Sequence, residues 1–196
     1  PENEEYSSLV IPPQLDLLEI ICCPYSDDLR WLVVSGLDIR SLSRLTRLKL
    51  SGEGLDDWIK ELSRVLMPQS VPFLEELCLA AGDKRLLSES TRWIASMLSP
   101  SLQKISLTET RLSASSWDGI FSSMDLSNIR SLDFTGSTIS QTSFKKMIEK
   151  MPEDAKLESL VLNCVRWTDE SDQDECRNLL WGLKKKAKSV DIQGQT

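Results

Sequence analysis

Apolar residues return along the chain in a six-residue figure, at its first, fourth and sixth places. The figure occurs as Leu15-Leu18-Ile20, Leu45-Leu48-Leu50, Leu74-Leu77-Leu79, Leu102-Ile105-Leu107, Ile129-Leu132-Phe134, Leu157-Leu160-Leu162 and, more weakly, Ala187-Val190-Ile192. Successive starts lie 30, 29, 28, 27, 28 and 30 residues apart, a spacing that chance would not hold along the whole chain. Its alternating second half predicts a strand. Behind the strands, apolar residues recur three and four positions apart, which predicts helices. Those faces are Trp58, Ile59, Leu62, Val65 and Leu66; Trp93, Ile94, Met97 and Leu98; Trp117, Ile120, Phe121 and Met124; Phe144, Met147, Ile148 and Met151; and Leu179, Leu180 and Leu183. Asp56, Ser88, Ser113 and Ser140 precede the runs as expected N-caps. Leu29-Leu32-Val34 also fits a strand, but would split the first interval into 14 and 16 residues, below the minimum of about 20 for a repeat. Asp27 to Val34 is therefore read as the first repeat's helix, stopped by Gly36.

This unit of strand, turn, helix and return resembles the leucine-rich repeat family, in its long, ribonuclease-inhibitor-like class. The resemblance covers about residues 15 to 194. It implies an α/β solenoid of about seven sequential parallel strands on a concave face, with helices on the convex face. Residues 1–14 are then an acidic, proline-containing extension, and residues 15–196 the repeat domain, with strand starts near 15, 45, 74, 102, 129, 157 and 187. Position 9 of that repeat, usually Asn or Cys, holds Cys23, Glu53, Gly82, Thr110, Ser137 and Val165, and position 11, usually Leu, holds Tyr25, Leu55, Lys84, Leu112, Ile139 and Trp167. The departure at Lys84 predicts a local insertion that makes Leu86 the buried residue. A rival for residues 11–29 is an F-box, whose opening looks like Ile11-Pro12-Pro13-Gln14-Leu15 with Ile20 and Ile21 and a later Ser26-Asp27-Asp28-Leu29. Against it, the same residues already serve the first repeat in register.

Composition narrows the partner class. Lys and Arg total 23 against 30 Asp and Glu, giving a net charge of −7 and a pI near 4.8, which disfavours nucleic acid and anionic lipid as the main partner. Apolar runs are only a few residues long, so no membrane span is expected. The absence of histidine removes Ser-His-Asp and Cys-His mechanisms and every His-ligated metal site. The five cysteines, Cys22, Cys23, Cys78, Cys164 and Cys176, form no disulfide framework and no C-x-x-C, and no N-glycosylation acceptor occurs. These observations fit an intracellular protein, cytoplasmic or nuclear. Cys78 and Cys164 are expected to pack as small apolar groups. Pro1 fits either removal of an initiator Met or a chain cut from something longer.

No cofactor or metal is expected. Gly52-Glu53-Gly54 is a turn and not a phosphate loop, and the acidic run Asp169 to Glu175 lacks the spacing of a calcium loop. Lys184-Lys185-Lys186-Ala187-Lys188 reads as a helix end complementing its dipole, with an import signal as the alternative. Trp58, Trp93 and Trp117 read as core, while Trp167 and Trp181 beside the acidic run are open.

Alternation turns the polar places of the figure away from the core. The candidate partner-binding residues are accordingly Glu19, Arg47, Lys49, Glu76, Lys104, Ser106, Thr108, Asp133 and Asn163. Their mixed charges suit another protein, and the expected function is a non-catalytic scaffold or recognition module, alone or within a larger complex or a longer chain. The alternatives are an F-box-type ubiquitin-ligase substrate receptor and a GTPase-activating protein of the Ran-cycle type, whose motif matches no residue here.

Overall fold

Strands form where the apolar figure predicts them, because its fourth and sixth residues bury on one side while their neighbours face the other. The computed structural model describes residues 14–22, 34–37, 42–155, 157–168 and 189–191. Within these, β1 (Leu17–Ile21), β2 (Arg47–Ser51), β3 (Glu76–Arg85), β4 (Lys104–Arg111), β5 (Ser131–Asp133), β7 (Ser159–Val161) and β9 (Ser189–Asp191) pair in chain order. Every pairing is parallel. The register is locked at the starts of β2, β3, β4, β5 and β7 by one carbonyl that accepts two successive N–H groups. Asp16 O takes those of Thr46 and Arg47, Thr46 O those of Glu75 and Glu76, Glu75 O those of Gln103 and Lys104, Gln103 O those of Arg130 and Ser131, and Arg130 O those of Glu158 and Ser159.

Two short strands, β6 (Thr138–Ile139) and β8 (Arg166–Trp167), were not expected from the pattern. They extend a second ladder from the far ends of β3 and β4, with Arg85 opposite Arg111, Arg111 opposite Thr138, and Thr138 opposite Arg166. Between the ladders the chain bends through left-handed backbone at Gly52, Gly82, Asp83, Glu109, Gly136 and Cys164. The lateral bonds continue through the bend: Gly52 N–H donates to Ala80 O, Glu109 N–H to Thr135 O and Gly136 N–H to Asn163 O. The insertion expected near Lys84 is present. Ala80 faces Thr108 and Lys84 faces Thr110, so β3 carries two residues more than β4 over the same interval, and Leu86 is buried.

Among the described residues, α1 (Leu55–Leu62), α2 (Ser88–Met97), α3 (Ala114–Ser123) and α4 (Gln141–Lys150) carry the other apolar faces. Trp58, Ile59, Trp93, Ile94, Trp117, Phe121, Phe144 and Met147 share one core with Leu48, Leu50, Leu77, Leu79, Ile105, Leu107, Leu132 and Leu160. The helices thus cover one face of the sheet. Trp117 stacks on Phe121 at 5.1 Å between ring centroids and meets Phe134 edge-on at 5.7 Å, and Trp167 closes on Phe144 at 5.4 Å.

The caps divide. Ser113 and Ser140 are N-caps whose hydroxyls accept the N–H of Ser116 and Ser143. Gly54 and Leu87 hold that place in α1 and α2, leaving Asp56 and Ser88 within the helices. Thr110 and Ser137, at position 9, are buried and hydrogen-bonded to each other at 3.0 Å, with Ser137 Oγ also donating to Leu107 O. The expected last helix, the acidic run and the lysine cluster lie outside the described residues, as do all of the expected first helix but Val34 and, in the F-box-like segment, residues 11–13 and 23–29.

Candidate functional site

With one face against the helices, the other presents three lateral rows. The first runs Leu17, Arg47, Glu76, Lys104, Ser131 and Ser159, the second Glu19, Lys49, Cys78, Ser106, Asp133, Val161 and Asp191, and the third Ile21, Ser51, Ala80 and Thr108. Neighbours within a row are about 4.8 Å apart. Residues separated by nearly thirty positions in sequence therefore act as one surface.

Eight of the nine candidate residues stand in these rows, and five of them, Glu19, Arg47, Lys49, Glu76 and Lys104, form a contiguous charged group. Glu76 Oε1 accepts from Lys104 Nζ at 3.0 Å and from Cys78 Sγ at 3.3 Å. Arg47 is opposite Glu76 in register, and Lys49 lies between Glu19 and Cys78. Ser106 and Asp133 extend the second row. Asp133 Oδ1 is engaged locally, accepting the Thr135 N–H at 2.9 Å and the Thr135 hydroxyl at 2.7 Å. Thr108 stands one row farther along. Asn163 is set apart, in the bend after β7, where its carbonyl accepts the Gly136 N–H.

Burial would raise the Glu76 acid, but hydrogen bonds from Lys104 and Cys78 together with the nearby ammonium charges hold it below the usual carboxylate range. Lys104 is correspondingly raised, first by its hydrogen bond to Glu76. Burial, followed by the Glu76 carboxylate, pushes the Cys78 thiol up to about 11. At neutral pH Cys78 is a protonated donor to Glu76 and a poor nucleophile. It does not pack as a small apolar residue, and neither does Cys164, which is exposed on a left-handed bend, whereas Cys22 is buried.

Sequence reasoning left out the residues just ahead of the strands. Thr46, Glu75, Gln103 and Arg130 join Arg47, Glu76, Lys104 and Ser131 around an open depression of about 380 Å³. Their common place, one residue before the first row, was the available signal. Among the described residues, no group of three or more Cys, Asp or Glu side chains is placed to hold a metal ion, and no helix is long and apolar enough to cross a membrane. The arrangement supplies paired charges and hydrogen-bonding groups on an accessible surface. No protein-family model and no curated protein matches this chain.

Proposed function

We propose that the chain is a leucine-rich repeat array of the ribonuclease-inhibitor-like class, and that the strand face opposite the helices binds another protein without catalysing a reaction. In this reading the sheet lines a concave side, and the partner docks across β1 to β4. One observation carries it: the register sets Arg47, Glu76 and Lys104 in one row and Glu19, Lys49 and Cys78 in the next, placing both signs of charge on one accessible surface. A partner element with acidic groups would meet Arg47 and Lys49, which have no ion pair among the described residues, steered by local charge despite the net charge of −7. The free thiols Cys78 and Cys164 fit a reducing, intracellular setting.

The test is affinity capture from native extract with the parent chain, an Arg47→Glu/Lys49→Glu variant and a helix-side Lys60→Glu/Lys150→Glu variant. The first pair should weaken the specifically captured protein about tenfold or more at low salt with little change in melting temperature, and the second should not. Loss with the helix-side pair and retention with the strand-face pair would place the partner elsewhere and overturn the reading.

A further inference from the structure

The second ladder carries a different surface, beyond the reading above. Arg85, Arg111, Thr138 and Arg166 stand side by side on β3, β4, β6 and β8, so that three guanidinium-bearing residues share a row about 14 Å long. All three arginines are exposed. Arg111 and Arg166, on either side of Thr138, converge on one carboxylate. Arg111 Nε donates to Asp83 Oδ1 at 2.8 Å and its Nη2 donates to Oδ2, while Arg166 Nη1 lies 3.3 and 3.5 Å from the same two oxygens. Arg85 has no ion pair among the described residues.

Charge and geometry do not balance there. A carboxylate supplies one negative charge and two oxygens, whereas the two forks present two positive charges and a surplus of N–H donors. A phosphate monoester carries a charge between about −1.5 and −2 near neutral pH and three acceptor oxygens, matching two convergent guanidiniums better than Asp83 does. Asp83 is also separable from the scaffold. It lies in the two-residue insertion between the ladders, where it and Gly82 both have φ of 61°, and neither takes part in the β3 to β4 register. Displacing its side chain breaks no strand pairing. Among the described residues, Lys84 beside it pairs with Glu53 at 3.8 Å, and Glu109 is exposed.

We infer that Arg111 and Arg166 form a clamp for a phosphorylated serine or threonine side chain of a partner protein, with Asp83 as the internal group that the phosphate displaces. Thr138 offers a hydroxyl between the two forks, and Arg85 adds attraction one strand beyond.

The test follows the arginine Nε–H signals of the 15N-labelled full chain by NMR, titrating a short Gly/Ser peptide with one phosphoserine, its unphosphorylated form, and inorganic phosphate. The phosphopeptide should shift Arg111 and Arg166, and the unphosphorylated peptide should not. Asp83→Asn, close in shape, should tighten phosphopeptide binding about tenfold by removing the competing charge, and Arg111→Lys/Arg166→Lys, which keeps charge but loses the forks, should weaken it by about as much. Melting curves of both variants verify that they are folded. Unchanged affinity in folded Asp83→Asn, or parental affinity in the double lysine variant, would overturn the clamp. Binding of inorganic phosphate as tight as that of the phosphopeptide would overturn the assignment to a protein-borne phosphate.

Discussion

Asp56 and Leu87 are 31 residues apart, yet the Asp56 carboxylate accepts the Leu87 N–H at 3.0 Å. Leu87 is the N-cap of α2 and has no polar side chain, so the cap is supplied by the first turn of α1. The same Oδ1 accepts the Ser90 hydroxyl, one turn into α2. One carboxylate therefore favours the positive ends of two helices. Asp56→Ala should cost about 1 to 2 kcal/mol in urea denaturation, and Asp56→Asn appreciably less. Equal losses would show that the charge, and not the accepted hydrogen bonds, is what matters.

Alternation in β4 gives a sharper contrast between adjacent residues. Ile105 is fully buried and Lys104 beside it is half exposed. Ile105→Asp places an unpaired carboxyl in the core and should cost about 3 kcal/mol or more. Lys104→Ala gives up a surface pair with Glu76 and should cost about 1 kcal/mol or less. Comparable melting shifts for the two would contradict the side-chain directions assigned to the strand.

Two glycines should respond in opposite directions. A Cβ on Gly52, whose φ is 115°, would collide with the Cys22 carbonyl oxygen, so Gly52→Ala should lower the melting temperature. Gly119 lies in α3 with open space where its Cβ would be, and Gly119→Ala should add roughly 0.5 to 1 kcal/mol. Scanning calorimetry of both variants against the parent reads the two signs directly.

The Cys78 thiol supplies a pH dependence. Its value in the folded chain, about 11, lies above the ordinary thiol value, so the folded state holds that proton more tightly. The resulting stability is fully present below the ordinary thiol value of 9.0 and is lost as pH rises through about 11. The difference in unfolding free energy between the parent and Cys78→Ser should therefore shrink across that alkaline window. Alkylation at pH 8 should be slow at Cys78, and Glu76→Gln should accelerate it by removing the neighbouring charge. A rate that does not respond to Glu76→Gln would leave burial alone as the cause.

The sheet was legible because a period of two is hard to conceal: Leu48 and Leu50, or Ile105 and Leu107, declare their face in any reading of the chain. Rows such as Arg47, Glu76 and Lys104 followed once the repeat spacing supplied the register. The second ladder stayed hidden because Thr138–Ile139 and Arg166–Trp167 are two residues each, too short to alternate. The bend ahead of it was concealed by Glu109 and Cys164, which take left-handed backbone without the glycine that normally signals it. Asp83 was displaced from every repeat position by the insertion that carries it, so its approach to Arg111 and Arg166 was invisible until the strands were aligned in space. Asp56 misled for a related reason, since a cap donated from a neighbouring helix leaves no local spacing to read.

The bend between the ladders separates chain length from alignment. Ala80 and Lys84 flank more residues than their partners Thr108 and Thr110 do, yet pairing is in step on both sides. That junction is a natural graft point. A short loop inserted beside Gly82 should ride outside the hydrogen-bonded framework, whereas a single residue added between Leu77 and Leu79 would turn every following side chain of β3 over.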